Sequence, residues 1–379
     1  MYPCGLKFKM LTKEMIKSKL PAELNFKMPP EWAPHSRTLM AWPVLEALWP
    51  EPFAAILPAY ANIVNSIARF EPVTLVVKPE LTDEAAAFCG PNVEFWPAVN
   101  DDSWIRDNGP TLITNPAGEI AGVNWIFNAW GGKFPHERDN LITPQLLQYL
   151  GIPFWDAPLV MEGGSFHVDG EGTLLSTEEC LLSRNRNPRL SRNEIENYLY
   201  DYLNVSKFIW LKRGWHGDDT DGHVDNVACF ARPGVVLMQV CSDSTDPNYE
   251  ISEENLSILT SATDAQGRRL EVIPLEQPPV HFYADNRLTL SYLNFYFVNG
   301  AIILPVFGGR AAKTDANAIA ILTRTFPDRE IVPVDGLVVA RGGGNVHCLT
   351  QQVPAGIPAK LGGRLKAEGG SDVGLDFEA

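Results

Sequence analysis

Five short strings in this chain set reactive or charged side chains among glycines. In RGGGNVHCLTQQ (341–352), three glycines lead into Cys348. The glycine run implies unusual backbone angles or close backbone approach to a ligand. A nucleophilic cysteine needs its thiolate, which a cationic histidine or a bound cation favours. His347 is adjacent, so on a strand it would point away from Cys348, and a histidine brought in by the fold, above all His223, is the better partner. The alternative is a buried structural thiol. In HGDDTDGHVDN (216–226), four carboxylates and two imidazoles fall within ten positions. His223 and Asp225, two apart, would leave one face of a strand and address one ligand. The spacing does not fit a calcium loop. Zinc through His223 and Asp225 with distant ligands, or a polar pair at a sheet end, are the competing readings.

DDSWIRDNGP (101–110) puts Trp104 and Asp107 close together. A carboxylate beside an aromatic face suits a planar cation such as a guanidinium. The plain alternative is a turn whose aspartates cap backbone N–H groups. MEGGS (161–165) sets Glu162 before two glycines. SYLNFYF (291–297) looks chiefly like a half-buried strand. No GxGxxG or GxxxxGK[ST] string supports nucleotide binding.

The elements that must position these strings alternate in type. Apolar recurrence predicts helices over 53–70, 79–89, 141–150, 191–203, 250–262 and 312–326. Strands are predicted at 73–77, 93–97, 154–160, 207–211, 270–275 and 330–335. DSWIRDNGPTLITNP is predicted as strand–turn–strand, and hairpins at HVDNVACFARPGVVLMQV and LSYLNFYFVNGAIILPVF. A faint unit of hairpin, helix and strand recurs about every 60–80 residues. No low-complexity linker divides the chain, which argues for one α/β domain.

Composition narrows the class. The 379 residues carry 31 basic and 46 acidic side chains, a formal charge of −15. That disfavours nucleic acid or an anionic membrane as the main partner and favours cationic ligands at long range. Six cysteines, at 4, 89, 180, 229, 241 and 348, lack disulfide or zinc spacing, as expected of reduced thiols in the cytoplasm. No apolar run is long enough to span a membrane, and the lysine-dotted N-terminus is not a standard secretory signal.

Taken in order, MPPEWAPHSRTLMAWP, DDSWIRDNGP, FNAWGGKFP, MEGGSFHVDGEGTLLSTEECLLSRNRNP, DDTDGHVDNVACFARPG, SYLNFYFVNGAIILPVFG and GGGNVHCLTQQVP resemble the agmatine deiminases, within the peptidyl-arginine deiminase-like group of guanidine-modifying enzymes. The resemblance covers roughly residues 28–355. It implies a fivefold pseudosymmetric α/β propeller with a central active site. It also implies a nucleophile at Cys348, a general acid/base at His223, guanidinium-binding carboxylates at Asp107 and Asp225, a histidine-orienting carboxylate at Glu162, and a substrate-side aromatic at Trp104. A small cationic guanidine substrate, a homo-oligomer and no metal or organic cofactor are further implications. The resulting division is an N-terminal extension (1–27), one deiminase domain (28–370) and a tail (371–379). KFPHERDN, after Asn128–Gly132, looks shorter than in plant-type relatives and marks where a substrate-covering loop would lie.

Overall fold

A computed structural model describes residues 19–44, 46, 49 and 53–365. Its strands are β1 (His35–Ala41), β2 (Val73–Val77), β3 (Val93–Pro97), β4 (Thr111–Thr114), β5 (Glu119–Ile126), β6 (Phe154–Val160), β7 (Phe166–Val168), β8 (Thr173–Thr177), β9 (Lys207–Leu211), β10 (Ala228–Arg232), β11 (Val235–Val240), β12 (Glu271–Glu276), a small hairpin of β13 (Phe282–Tyr283) and β14 (Asn286–Arg287), β15 (Tyr296–Val298), β16 (Ala301–Val306), β17 (Glu330–Asp335), β18 (Gln351–Pro354), β19 (Ile357–Pro358) and β20 (Arg364–Leu365).

Pairing sorts the main strands into five copies of one unit, an antiparallel pair followed by a parallel crossover. The copies are β4-β5-β6, β7-β8-β9, β10-β11-β12, β15-β16-β17 and β18-β1-β2, the last extended by β3. The crossover in each carries a helix, respectively Asp139–Tyr149, Arg192–Leu203, Asn248–Ser261, Ala312–Thr325 and Phe53–Ala68. Parallel strands need such a connection, and the helix covers one face of its sheet. The faint recurrence in the sequence is this unit, and the fivefold propeller follows from it. In the fifth copy the antiparallel strand comes from the far end of the chain, so β18 closes the ring on β1.

Local sequence explains the elements. Helix Phe53–Ala68 buries Ile56, Tyr60, Ile63, Val64 and Ile67, a stripe at helical spacing that packs on β2, itself buried at every position. Ser191 and Glu194 form a reciprocal capping box at the start of helix Arg192–Leu203.

The segment before residue 28 is packed from Leu20 onward. Phe26 is buried edge-on to Trp155, and Lys27 bridges Thr114 beside β4. Residues 1–18 and the tail 371–379 lie outside the described residues. The five described cysteines are free, and no helix among the described residues is long and apolar enough to cross a membrane.

Candidate active site

Each unit opens on an antiparallel strand, and the candidate site residues lie just before that strand. Asp107 precedes β4, Glu162 precedes β7, His223 and Asp225 precede β10, Asn294 precedes β15 and Cys348 precedes β18. These lead-in segments curl instead of extending. Ile105–Asn108 is one helical turn, Gly163–Ser165 and Val224–Asn226 are 3-10 turns, and Cys348 lies in a turn.

Three expectations are corrected by this. DSWIRDNGP is not a strand, because Gly109 N–H bonds back to the Ile105 carbonyl and closes a turn. His223 and Asp225 do not share a strand face but flank the start of a 3-10 turn. SYLNFYF enters a strand only at Tyr296, because the buried Asn294 is turned toward Cys348. In each case the turn gathers polar groups at the centre, where an extended strand would have sent them alternately to both faces.

The fold brings all six sequence-predicted residues together, each buried. The Cys348 thiol lies 3.4 Å from Asp225 Oδ2, and His223 Nδ1 lies 3.7 Å from Asp107 Oδ2. The Gly164 backbone packs against both pairs. A Cβ on Gly164 would sit 2.6 Å from His223 Nδ1, 2.8 Å from Asp225 Oδ2 and 3.0 Å from Asp107 Oδ1. Gly344 does the same on the other wall, where a Cβ would meet Trp104 at 2.7 Å and Cys348 Sγ at 3.1 Å. Trp104 is held by stacking on Trp49, with centroids 5.4 Å apart. The two glycines thus bring bare backbone against a thiol, an imidazole, two carboxylates and an indole, which wall the candidate slot.

The charges in the slot are poised. Burial pulls the His223 imidazolium toward losing its proton, but the Asp107, Cys180 and Glu162 side chains outweigh it and hold its pKa well above the usual histidine range. Burial pushes the Asp107 carboxyl up, partly offset by His223, with Asp225 and Glu162 adding to the rise. Burial also acts against an ionised Asp225, yet His347, His223 and Cys348 bring it below the ordinary aspartate value. Burial, then the Asp225 and Asp107 charges, push the Cys348 thiol well up. Buried beside two carboxylates, the thiol is disfavoured as a thiolate.

Several supporting residues escaped the sequence reading. His347 was expected to point away from the chemistry. Because Cys348 sits in a turn, His347 instead reaches Asp225 Oδ2 through Nδ1 at 3.0 Å, while Nε2 meets both Glu31 oxygens at 2.9 and 3.0 Å. An imidazole flanked by carboxylates on both nitrogens is held as imidazolium, and its pKa is raised despite burial and nearby Arg106. Arg106 completes the row at 3.3 Å from Glu31. His347 thereby holds one Asp225 oxygen and leaves Oδ1 without a partner. Asn294 clasps Cys348, donating to its Sγ at 3.1 Å and accepting from its backbone N–H at 3.3 Å. Trp130 donates through Nε1 to Asp107 Oδ2 at 2.9 Å from a left-handed backbone, φ 55°. Arg186 binds Glu162 Oε1 at 2.6 Å and leaves Oε2 facing His223 Nε2 at 3.8 Å. The signal for His347, Trp130 and Arg186 was their place inside the quoted strings. Glu31 carried the same signal, from its place in MPPEWAPHSRTLMAWP.

The candidate covering segment is tied down beside the slot. Lys133 bonds Asp221 Oδ1 at 2.7 Å, and Asn128 caps the turn that presents Trp130.

A family model described as Porphyromonas-type peptidyl-arginine deiminase matches residues 27–354. A Legionella pneumophila protein provisionally named an agmatine deiminase is 48% identical over 337 residues, covering 88% of this chain and 96% of its own. The agmatine deiminase of Ectopseudomonas mendocina is 42% identical over 356 residues, covering 87% of this chain and 96% of that one. The solved structure of agmatine deiminase from Enterococcus faecalis is similar at a TM-score of 0.84 and 36% identity, covering 89% of this chain and 98% of that one.

Proposed function

The chain belongs to the peptidyl-arginine deiminase-like family of guanidine-modifying enzymes, and from that premise we propose that it hydrolyses agmatine to N-carbamoylputrescine and ammonia. The observation that carries this reading is the slot in front of Gly164, where a thiol, an imidazole and two buried carboxylates face one another. Asp107 and Asp225 hold the planar guanidinium, whose N–H pairs match their oxygens, and Asp225 Oδ1 is free to accept one. The bound cation offsets both carboxylates, so the Cys348 proton is released to solvent and the thiolate forms only over a substrate.

Cys348 Sγ attacks the guanidinium carbon and gives a neutral tetrahedral adduct. His223, protonated, donates to one NH2 group, which leaves as ammonia, and a cationic S-alkylthiouronium remains on Cys348. Neutral His223 then takes a proton from water as the hydroxide adds to the same carbon. Collapse breaks the C–S bond, restores the thiolate and yields the substituted urea. The hydroxyl proton lost in that collapse converts ammonia to ammonium. Glu162, fixed by Arg186, orients the imidazole throughout.

Two features favour agmatine over arginine. Nearby Arg186 is engaged by Glu162 and Asp221, so it is not presented to a substrate carboxylate. Beside the site, Asp218 has a buried Oδ2 with no partner and lies close enough to feel His223 and Asp225. A carboxylate there suits a second positive charge.

Residues 28–370 act as one catalytic domain in this reading, and the active species is a cytoplasmic homo-oligomer, to be checked by light scattering. The decisive assay measures ammonia release and product mass with agmatine, arginine and an arginyl peptide, with and without chelator. Agmatine turnover unaffected by chelator, abolished in Cys348→Ala with binding retained, is the expected outcome. Full activity in Cys348→Ala, or a strict need for a chelatable metal, overturns it.

A further inference from the structure

We propose that Glu162, Cys180 and His223 form a binding site for a soft divalent cation, zinc foremost, which arrests the enzyme from behind its histidine. One donor atom from each of the three lies within 4.8 Å of the others, and all three residues are buried. Glu162 Oε2 and His223 Nε2 have no hydrogen-bond partner, although both are shut off from water. The two face each other at 3.8 Å as an ion pair without a hydrogen bond, a gap that a bridging cation would close. Arg186 fixes the other Glu162 oxygen, and Thr177 caps the turn bearing Cys180, so the donors are held in place.

The donor chemistry selects the ion. One thiolate, one imidazole and one carboxylate, with a fourth position for water, is a zinc set. Bonds of about 2.0–2.1 Å at a tetrahedral angle put an oxygen and a nitrogen roughly 3.3 Å apart. The present separation of Nε2 and Oε2 is 3.8 Å, so about half an ångström of contraction completes the pair. Binding sends the thiol proton and the imidazolium proton to solvent. The Glu162 carboxylate and the new Cys180 thiolate balance the two charges of the ion. Zinc through His223 and Asp225 is not the grouping the fold makes, since the cluster of three such donors among the described residues is Glu162, Cys180 and His223.

The position of the ion sets its effect. His223 turns Nδ1 toward Asp107 and the slot, and Nε2 toward Glu162. Zinc on Nε2 therefore leaves the guanidinium pocket open. It does stop the ring from carrying the second proton that the reaction requires. Inhibition thus lowers kcat and leaves KM unchanged.

The test has two arms. In the first, zinc is titrated against wild type, Cys180→Ser and Cys180→Ala, each normalised to its own metal-free rate after a melting check. This arm rests on the deiminase reading above. The second arm does not. Cobalt(II) and zinc are titrated into the Cys348→Ala protein, followed by absorption and calorimetry. The expected results are non-competitive inhibition reversed by chelator, and a half-inhibitory zinc concentration raised at least about tenfold in both Cys180 variants. One ion per chain and a thiolate-to-cobalt band should persist in Cys348→Ala and vanish when Cys180→Ser is added. Inhibition that competes with agmatine, or a cobalt band that depends on Cys348 and not Cys180, overturns the proposal. So does absence of binding.

Discussion

Replacing Gly164 by alanine adds one methyl group at the centre of the site. The backbone there has no left-handed angle, so alanine is conformationally allowed, and the substitution tests the slot alone. The added carbon would lie 2.6 Å from His223 Nδ1, whereas ordinary contact begins at 3.4 Å. The imidazole, Asp225 or the Gly164 backbone must therefore yield by about 0.8 Å, and the guanidinium loses the space it would occupy. A misplacement near 1 Å costs on the order of a hundredfold in rate. We expect kcat/KM for agmatine to fall by roughly that factor. Thermal unfolding should confirm a folded protein. Gly363→Ala is the matched control, since nothing lies within 4 Å of its Cβ. Ammonia release under subsaturating agmatine is the readout. If Gly164→Ala kept wild-type kcat/KM while folded, the space in front of Gly164 would not be the substrate site.

Other consequences follow from the same contacts. Trp130→Phe removes a hydrogen bond to a carboxylate, worth about 1.5–3 kcal/mol, and should lower kcat/KM by roughly 10- to 100-fold; an unchanged value would mean Asp107 needs no such orientation. Glu31→Gln removes a charge that keeps His347 protonated. The alkaline limb of the kcat/KM profile should then move to lower pH, and Glu31→Asp should restore it in part. A parallel loss at every pH would point to a structural role only. Burial pushes the Asp102 carboxyl up to about 8 and Asp139 to about 7, from an ordinary 3.8. The native chain therefore binds protons that the unfolded chain has released. This contribution is present at low pH and is lost as pH rises toward 7 and 8. Asp102→Asn should flatten the fall in melting temperature between pH 6 and 8.5; an equal fall would show that the pair does not titrate there.

The strands and helices were legible wherever the period was long and apolar. VTLVV, VEFWP and EIVPVD fall where the sequence puts them, because a fully or half-buried strand leaves its pattern in local composition. What misled was the junction before each hairpin. There, Ile105–Asn108, Val224–Asn226 and Asn294 curl for the sake of contacts across the ring, and no local pattern announces a partner on another blade. Family resemblance placed Cys348, His223, Asp107, Asp225, Glu162 and Trp104, and the fold brings them together. Glu31 stayed invisible since its meaning arises only where it meets His347, 316 positions later. On a strand His347 would point away from Cys348, and the turn there reverses where its side chain goes.

The closure of the ring also has a temporal side. Ser36 and Val353, 317 positions apart, meet where β18 caps β1. A chain emerging from the ribosome can build four blades with β1 still an open sheet edge, a surface prone to wrong pairing. Such a chain already holds Asp107, Glu162, His223 and Asp225 but lacks the proposed nucleophile, because Cys348 lies just ahead of β18. Reactive thiol and final seam arrive together. A half-made molecule therefore keeps its carboxylates without the sulfur that could be alkylated or oxidised among them, and catalytic turnover reports that the last blade has been stitched.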